Sequence, residues 1–364
     1  MDTARSGPLK GLRVVEMRAM GPAPFCCMLL ADMGAEVLCV SPPGAPKADP
    51  LLDPLTRGRI PMALDLKAEG ARDTLMAAIA KADVLIEGFR PGVMERLGLG
   101  PDDCLKANPK LIYGRMTGWG QTGPLAQTPG HDPNYLALAG VLSTLGYEDR
   151  PPVQPLALVG DFGGGALYLA MGVLAALHCA RETGQGQVVD AAIVDGAASL
   201  MSAFYALNGA GQWSMRRHDN IYDGAAPCGT VYETADGKYV AVVPLEPKFY
   251  AAFLQALGLD PAELPERFDK ANWPALRDRF GAVFKTKTRD EWAEVEAGDG
   301  CITPILDMDE APRHPHNVAR GVFVDHDGRL LPGPAPRFST TPSVHAPEGG
   351  SAESLLASWG VNKP

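Results

Sequence analysis

Over the first 115 residues, short runs rich in Val, Ile and Leu alternate with helix-length segments, and few folds accommodate that rhythm. Arg13-Val14-Val15-Glu16-Met17 reads as a strand, residues 25–33 as a helix and residues 35–40 as a second strand, a βαβ opening. Helices over 68–82 and 91–97 then alternate with strands at 83–87 and 111–115. Parallel strands need crossover connections, so the pattern predicts the α/β class: a parallel, Rossmann-like sheet with helices on both faces. The first turn, Met17-Arg18-Ala19-Met20-Gly21-Pro22-Ala23-Pro24, lacks the GxGxxG glycines that let a backbone approach a pyrophosphate, so a dinucleotide is not expected.

Residues 117–160 form a long Gly- and Pro-rich passage punctuated by polar and aromatic side chains, a pattern typical of functional loops. Residues 162–180 are apolar but glycine-interrupted and shorter than a membrane span, which predicts a buried core helix. A further helix is expected over 187–208, after the linker at 182–186. A second composition follows. Strands at 230–233 and 238–243 flank the turn Ala235-Asp236-Gly237, and helices are expected over 246–257, 273–285 and 288–296, making a smaller α+β unit. The expected organisation is a large domain over 1–208 completed by the tail 320–364, a linker at 209–222, a small domain over 223–310 and a return linker at 311–319.

With 364 residues the chain can bury a sizeable core. A formal net charge of −10 argues against a nucleic-acid partner, which requires a dense cationic surface. Seven cysteines without CxxC spacing suggest a reducing compartment, and neither a signal-like N-terminus nor a terminal Ser-Lys-Leu is seen. A cytoplasmic protein without a membrane partner is expected.

Asp161 lies in Gly160-Asp161-Phe162-Gly163-Gly164-Gly165, just before an apolar helical run. One reading is an ordinary N-cap; the other is an acid/base at a helix start whose N–H groups stabilise a developing oxyanion. His131 adjoins Asp132 in the long loop, and a carboxylate there is expected to orient and charge the ring as a proton shuttle. Neither residue has metal-ligand neighbours, and two bases without a metal suit proton transfer at carbon. Glu246 follows a strand and opens a helix, where it is either a first-turn acid or a functional one. Cys301 reads as structural, and His314-Pro315-His316 as a surface loop.

These segments resemble a known family along nearly the whole chain. GLRVVE at 11–16, LLADMGAEV at 29–37, ALDLK at 63–67 and EGFRPGVMERLGLGP at 87–101 are similar to the coenzyme A-binding half of the family III CoA-transferases, the CaiB/BaiF-like proteins. The GHD at 130–132, GDFGGG at 160–165, GQGQVVDAAIVDG at 184–196, LEPKFYAAF at 245–253 and CITPIL at 301–306 resemble the α-methylacyl-CoA racemase family in order and spacing. The resemblance implies an interlocked homodimer and a cofactor-independent racemase acting on 2-methyl-branched acyl-CoA, the coenzyme being part of the substrate. It makes His131 and Asp161 the two acid/bases, with Asp132 and Glu246 supporting the histidine. The alternative is a CoA-transferase with Asp161 as nucleophile, but transferases lack the GHD pairing. A non-catalytic CoA-thioester binder is a third reading.

By the same resemblance Leu64, Asp65, Leu66 and Lys67 border the adenine, while Gly88, Phe89, Arg90 and Arg96 hold the nucleotide and pyrophosphate. Three departures stand out. Relatives carry an arginine at or near Ser41 for a CoA phosphate, which predicts weaker binding here or compensation by Lys47, Arg57 or Arg59. They carry Asn where this chain has Ala157, and aromatic residues where it has Cys228 and Gly229. Smaller residues there predict an enlarged acyl pocket, suited to a sterol side chain or an aryl-propionyl group.

Overall fold

A computed structural model describes residues 5–46, 54–295, 299–326, 328–347 and 349–361; Lys47 and Glu296, the expected end of one helix, lie outside these. The chain divides into two compact units, one of residues 1–141, 155–202 and 332–364, the other of 142–154 and 203–331.

The first unit contains six parallel strands: β1 (Arg13–Met17), β2 (Glu36–Ser41), β3 (Arg59–Ala63), β4 (Val84–Glu87), β5 (Ile112–Thr117) and β6 (Gln187–Ala192). Their order is β3-β2-β1-β4-β5-β6, the doubly wound order with a switch point between β1 and β4. Because side chains alternate along a strand, Val14, Val37, Val84 and Ile86 enter one core while Val15, Leu38 and Leu85 enter the other. Helix α1 (Pro22–Asp32) covers the first face; α2 (Ala71–Ile79), α3 (Val93–Arg96) and α4 (Pro101–Ala107) are associated with the second. The sheet thus carries the fold class expected from the sequence.

The remaining elements of this unit are α5 (Asp132–Leu138), a π-helix over Leu158–Ala166, α6 (Leu167–Thr183) and α7 (Ile193–Leu200), which leads into α8 (Ser202–Gly209). Two expectations need correction. Residues 187–192 are the edge strand β6 and not the start of a helix: the β-branched pair Val188-Val189 pairs in parallel with Tyr113 and Gly114 of β5. The run from Leu158 to Thr183 is continuous over 26 residues and apolar enough by length and composition to cross a membrane, longer than expected because the glycines do not interrupt it. It is also only partly a core helix. Leu169, Val173 and Ala176 are buried against the sheet, while Leu158, Leu167 and Met171 are exposed.

The second unit contains the antiparallel sheet β7 (Thr230–Glu233), β8 (Tyr239–Val242) and β9 (Ile302–Pro304). Helices α9 (Pro247–Leu257), α10 (Trp273–Phe284) and α11 (Arg289–Val295) supply a core of Phe253, Phe280, Phe284 and Trp292. Residues 203–222, divided in the sequence reading between large domain and linker, belong to this unit, as does the segment 142–154. After α12 (Pro315–Arg320), the hairpin β10 (Phe323–His326) and β11 (Arg329–Pro332) delays the return to the first unit until residue 332. The tail and α13 (Ala352–Ser358) are then secured there. Asp32 Oδ1 accepts the Ala346 N–H at 3.0 Å, and Trp359 donates to Glu36 at 2.6 Å.

Gly281, in the interior of α10, has room for a side chain: a Cβ there would meet only Tyr232, at 3.8 Å. Gly281→Ala is therefore expected to stabilise the protein by about 0.5–1 kcal/mol, read as a higher denaturant midpoint with an unchanged slope.

Candidate active site

His131 and Asp132 stand where the long loop turns into α5. The His131 N–H donates to Asn134 Oδ1 at 2.9 Å, and its carbonyl accepts the Asn134 N–H at 2.8 Å, so the helix start is closed on itself. Tyr135 anchors it from within. Its hydroxyl donates to the Gly130 carbonyl, and its ring meets Trp119 edge-on at 4.7 Å. A Cβ on Gly118 would lie 2.0 Å from the Tyr135 ring, so the Gly118-Trp119-Gly120 loop and the Gly130-His131-Asp132 segment pack as one piece. His131 itself is exposed.

Asp161 is not an N-cap. It lies inside the π-helix, where the Phe162 N–H donates to the Ala157 carbonyl, five residues back, at 3.1 Å. The Asp161 N–H donates to Asp132 Oδ2 at 2.7 Å, and the Gly160 N–H bonds the same carboxylate. A Cβ on Gly160 would come within 2.2 Å of Asp132 Oδ2, so this approach requires glycine. The rest of the motif serves packing. Gly164 meets the backbone of Gly196 and Ala197, and Phe162 stacks on Phe25 of α1 at 4.6 Å.

Two expectations change here. Asp132 does not bond the His131 ring: Oδ2 takes backbone N–H groups and Oδ1 is buried without a partner, so this carboxylate fixes Asp161 relative to α5. The N–H groups of Gly160, Asp161 and Phe162 are all committed, so they offer no donors to an oxyanion.

Burial is the main cause raising the Asp161 carboxyl from its ordinary 3.8 to about 6; the Asp132 charge adds to it and the nearby His131 opposes it. Asp132 is also raised, by burial, against the two N–H groups it accepts. A carboxyl raised to about 6 is suited to take or to give a proton near neutral pH. Gly21, with φ of 70°, leaves space for Asp161: a Cβ there would lie 2.9 Å from its Oδ2. Sequence reasoning missed Gly21, Gly160 and Tyr135, whose roles appear only as close contacts.

Gly21 also borders a cavity of about 1060 Å³ at the carboxyl ends of β1, β2 and β3, lined among others by Glu16, Arg18, Cys39, Ser41 and Arg59. Open α/β sheets bind ligands at this end. None of the eight expected CoA contacts is among its lining residues. Leu64, Leu66 and Phe89 pack against the core, while Asp65, Lys67, Arg90 and Arg96 are exposed. Gly88 allows close packing on Ala19, which does line the cavity. Much of the 87–101 motif is structural: Arg115 bonds Glu87 and Glu95, each at 2.8 Å, and Glu87 accepts the Phe89 N–H at 2.7 Å.

Arg57 does not compensate for the missing arginine, being buried in an ion pair with Asp32 at 2.5 Å. Arg59 is likewise paired with Glu16. Cys228 does not enlarge a pocket. It is 2% exposed within the core of the second unit, where burial pushes its thiol up to about 12. Gly229 is required by its backbone, since a Cβ would lie 2.8 Å from the Ile221 carbonyl. Ala157 stays at the start of the π-helix. Glu246, in the second unit, precedes α9; it is exposed and its side chain makes no capping bond.

Residues 9–351 match the model of CoA-transferase family III. The chain belongs to that family. It is 46% identical over 339 residues to α-methylacyl-CoA racemase of Mus musculus, covering 92% of this chain and 88% of that one. It is 41% identical over 362 residues to α-methylacyl-CoA racemase of Homo sapiens, covering 98% and 94%. Among solved structures, a CaiB/BaiF family protein from Brucella suis superposes with a TM-score of 0.81 at 25% identity, covering 98% of this chain and all of that one.

Proposed function

We propose that the chain is an isomerase that interconverts the R and S forms of 2-methyl-branched acyl-CoA thioesters. The observation that carries this reading is the coupling of Asp161, with a carboxyl near 6, to His131 through a π-helix that Asp132 ties to α5. The 46% and 41% identities to proteins named α-methylacyl-CoA racemase support it. The thioester carbonyl acidifies the C2–H bond. His131 removes that proton from one enantiomer, the electron pair moves into the carbonyl as an enolate, and Asp161 returns a proton to the opposite face; the other enantiomer reverses the roles. One proton leaves C2 and one arrives, so the oxidation state is unchanged and no electron carrier enters the balance. The larger acyl group expected from the sequence now rests on Ala157 alone.

A homodimer is part of this proposal. Leu158, Leu167, Met171 and Leu200 leave an apolar surface on the first unit that a second copy of the chain would cover. The test of function is proton NMR of the purified enzyme with an (R)-2-methylacyl-CoA in deuterium oxide, combined with chiral analysis. Loss of the C2 proton with appearance of the S epimer is expected. CoA transfer to an added carboxylic acid, through an Asp161 adduct trapped by hydroxylamine and without C2 exchange, would replace this reading by the transferase one.

A further inference from the structure

We propose that Arg18 supplies the phosphate-binding cation of this chain's coenzyme A site; the inference rests on the acyl-CoA reading above. Among the described residues, the charged side chains lining the cavity are Glu16, Arg18 and Arg59. Glu16 and Arg59 cancel: Arg59 Nε lies 2.5 Å from Glu16 Oε2 with both side chains buried, and its two terminal nitrogens donate to the carbonyls of Leu55 and Pro24. Arg18 is left as the uncompensated charge, so an anion entering the cavity meets a net positive site.

The geometry suits that role. The Arg18 N–H donates to the Val40 carbonyl at 2.9 Å, extending the β1–β2 ladder past the end of β1 and fixing the Arg18 backbone at the carboxyl edge of the sheet. Arg18 is half-buried as a residue, and its Nη1 donates to the Pro46 carbonyl at 2.7 Å, leaving further N–H donors for a phosphate fork. Ser41 ends β2 and lines the same cavity, so an arginine from either position serves the same space. The backbone offers little alternative. Pro22 and Pro24 remove two N–H donors from the start of α1, and the Phe25 N–H is taken by the Gly21 carbonyl at 3.3 Å. A side-chain cation therefore carries the anion recognition that a glycine-rich turn supplies in dinucleotide folds.

Calorimetric titration of the full-length parent, Arg18→Ala and the double variant R18A/S41R with coenzyme A, dephospho-coenzyme A and pantetheine tests this. The expected result is that Arg18→Ala binds coenzyme A about 10- to 100-fold more weakly, the usual range for losing a charge-assisted phosphate contact, with pantetheine binding unchanged and coenzyme A binding restored by Ser41→Arg. A loss confined to coenzyme A assigns Arg18 to the 3′-phosphate, whereas an equal loss with dephospho-coenzyme A assigns it to the pyrophosphate. Unchanged coenzyme A affinity in Arg18→Ala, or an equal weakening of pantetheine, overturns the proposal. A parent protein that binds no coenzyme A at all removes the acyl-CoA reading itself, an outcome distinct from any behaviour of the variants.

Discussion

Asp161→Asn is expected to lose epimerisation in both directions, by about 10³-fold or more, while still exchanging the C2 proton of one enantiomer with solvent. Asparagine keeps the shape and the backbone N–H that Asp132 accepts, but it neither takes nor gives a proton. His131 continues to remove the proton from its own face and returns a solvent-derived one there, so deuterium enters without inversion. His131→Asn is expected to show the mirror behaviour, exchanging only the other enantiomer. Proton NMR in deuterium oxide on each pure enantiomer reads both results. If Asp161→Asn exchanges both enantiomers at equal rates, the second base lies elsewhere.

The same substitution carries a stability signature. A carboxyl at about 6 in the folded chain, against an ordinary 3.8, favours folding below 3.8 and loses that contribution as pH rises through 6. Above pH 6 the folded protein therefore holds an unfavourable charge that the asparagine variant lacks. Asp161→Asn is expected to be more stable than the parent by about 1–3 kcal/mol at pH 7.5, the lower end favoured because the side chain is only half-buried, and equal to it near pH 4. Denaturant titrations at the two pH values check the sign. A variant less stable than its parent at pH 7.5 contradicts the raised carboxyl.

Gly160→Ala is expected to reduce kcat/KM by about 100-fold or more although it replaces no ionisable group. Its Cβ would lie 2.2 Å from Asp132 Oδ2, well inside any contact distance, so either the carboxylate leaves the Gly160 and Asp161 N–H groups or the π-helix shifts. Either movement separates the Asp161 carboxyl from the His131 ring. The three atoms nearest that Cβ all belong to the Asp132 carboxyl group, so the clash falls first on this link. The loss should therefore appear in activity, with retained circular dichroism. An enzyme with parental kcat/KM would show that the Asp132 link does not position Asp161.

The sheet was legible in the sequence where burial on both faces makes strands continuous and apolar, as in β1, β2, β4 and β5. It was hidden at its edges. Pro61 disguises β3, which tolerates a proline because it is an outer strand. At β6 the apolar residues Val188, Val189, Ala191 and Ala192 follow helical spacing, and parallel pairing with β5 overrides it. His131, Asp132 and Asp161 were legible as types of residue, yet the partners of Asp132 were not, because they are backbone groups brought in by a helix register that periodicity does not reveal. Arg18 is legible only as the cation in the turn after the first strand, at the end of the sheet where open α/β folds bind ligands.

A π-helix is an α-helix that holds one residue more than its turns need. The Leu158–Ala166 segment therefore keeps a surplus residue in its register, and losing one codon there would let the helix relax to the ordinary pitch. The relaxed helix would rotate by about 100° on one side of the deletion, by the angular step of a single helical residue, carrying Asp161 away from His131. In heredity the site is thus exposed to a kind of lesion that substitution scans never sample, an in-frame deletion of a neighbouring residue that keeps His131 and Asp161 in the gene and removes their proposed pairing.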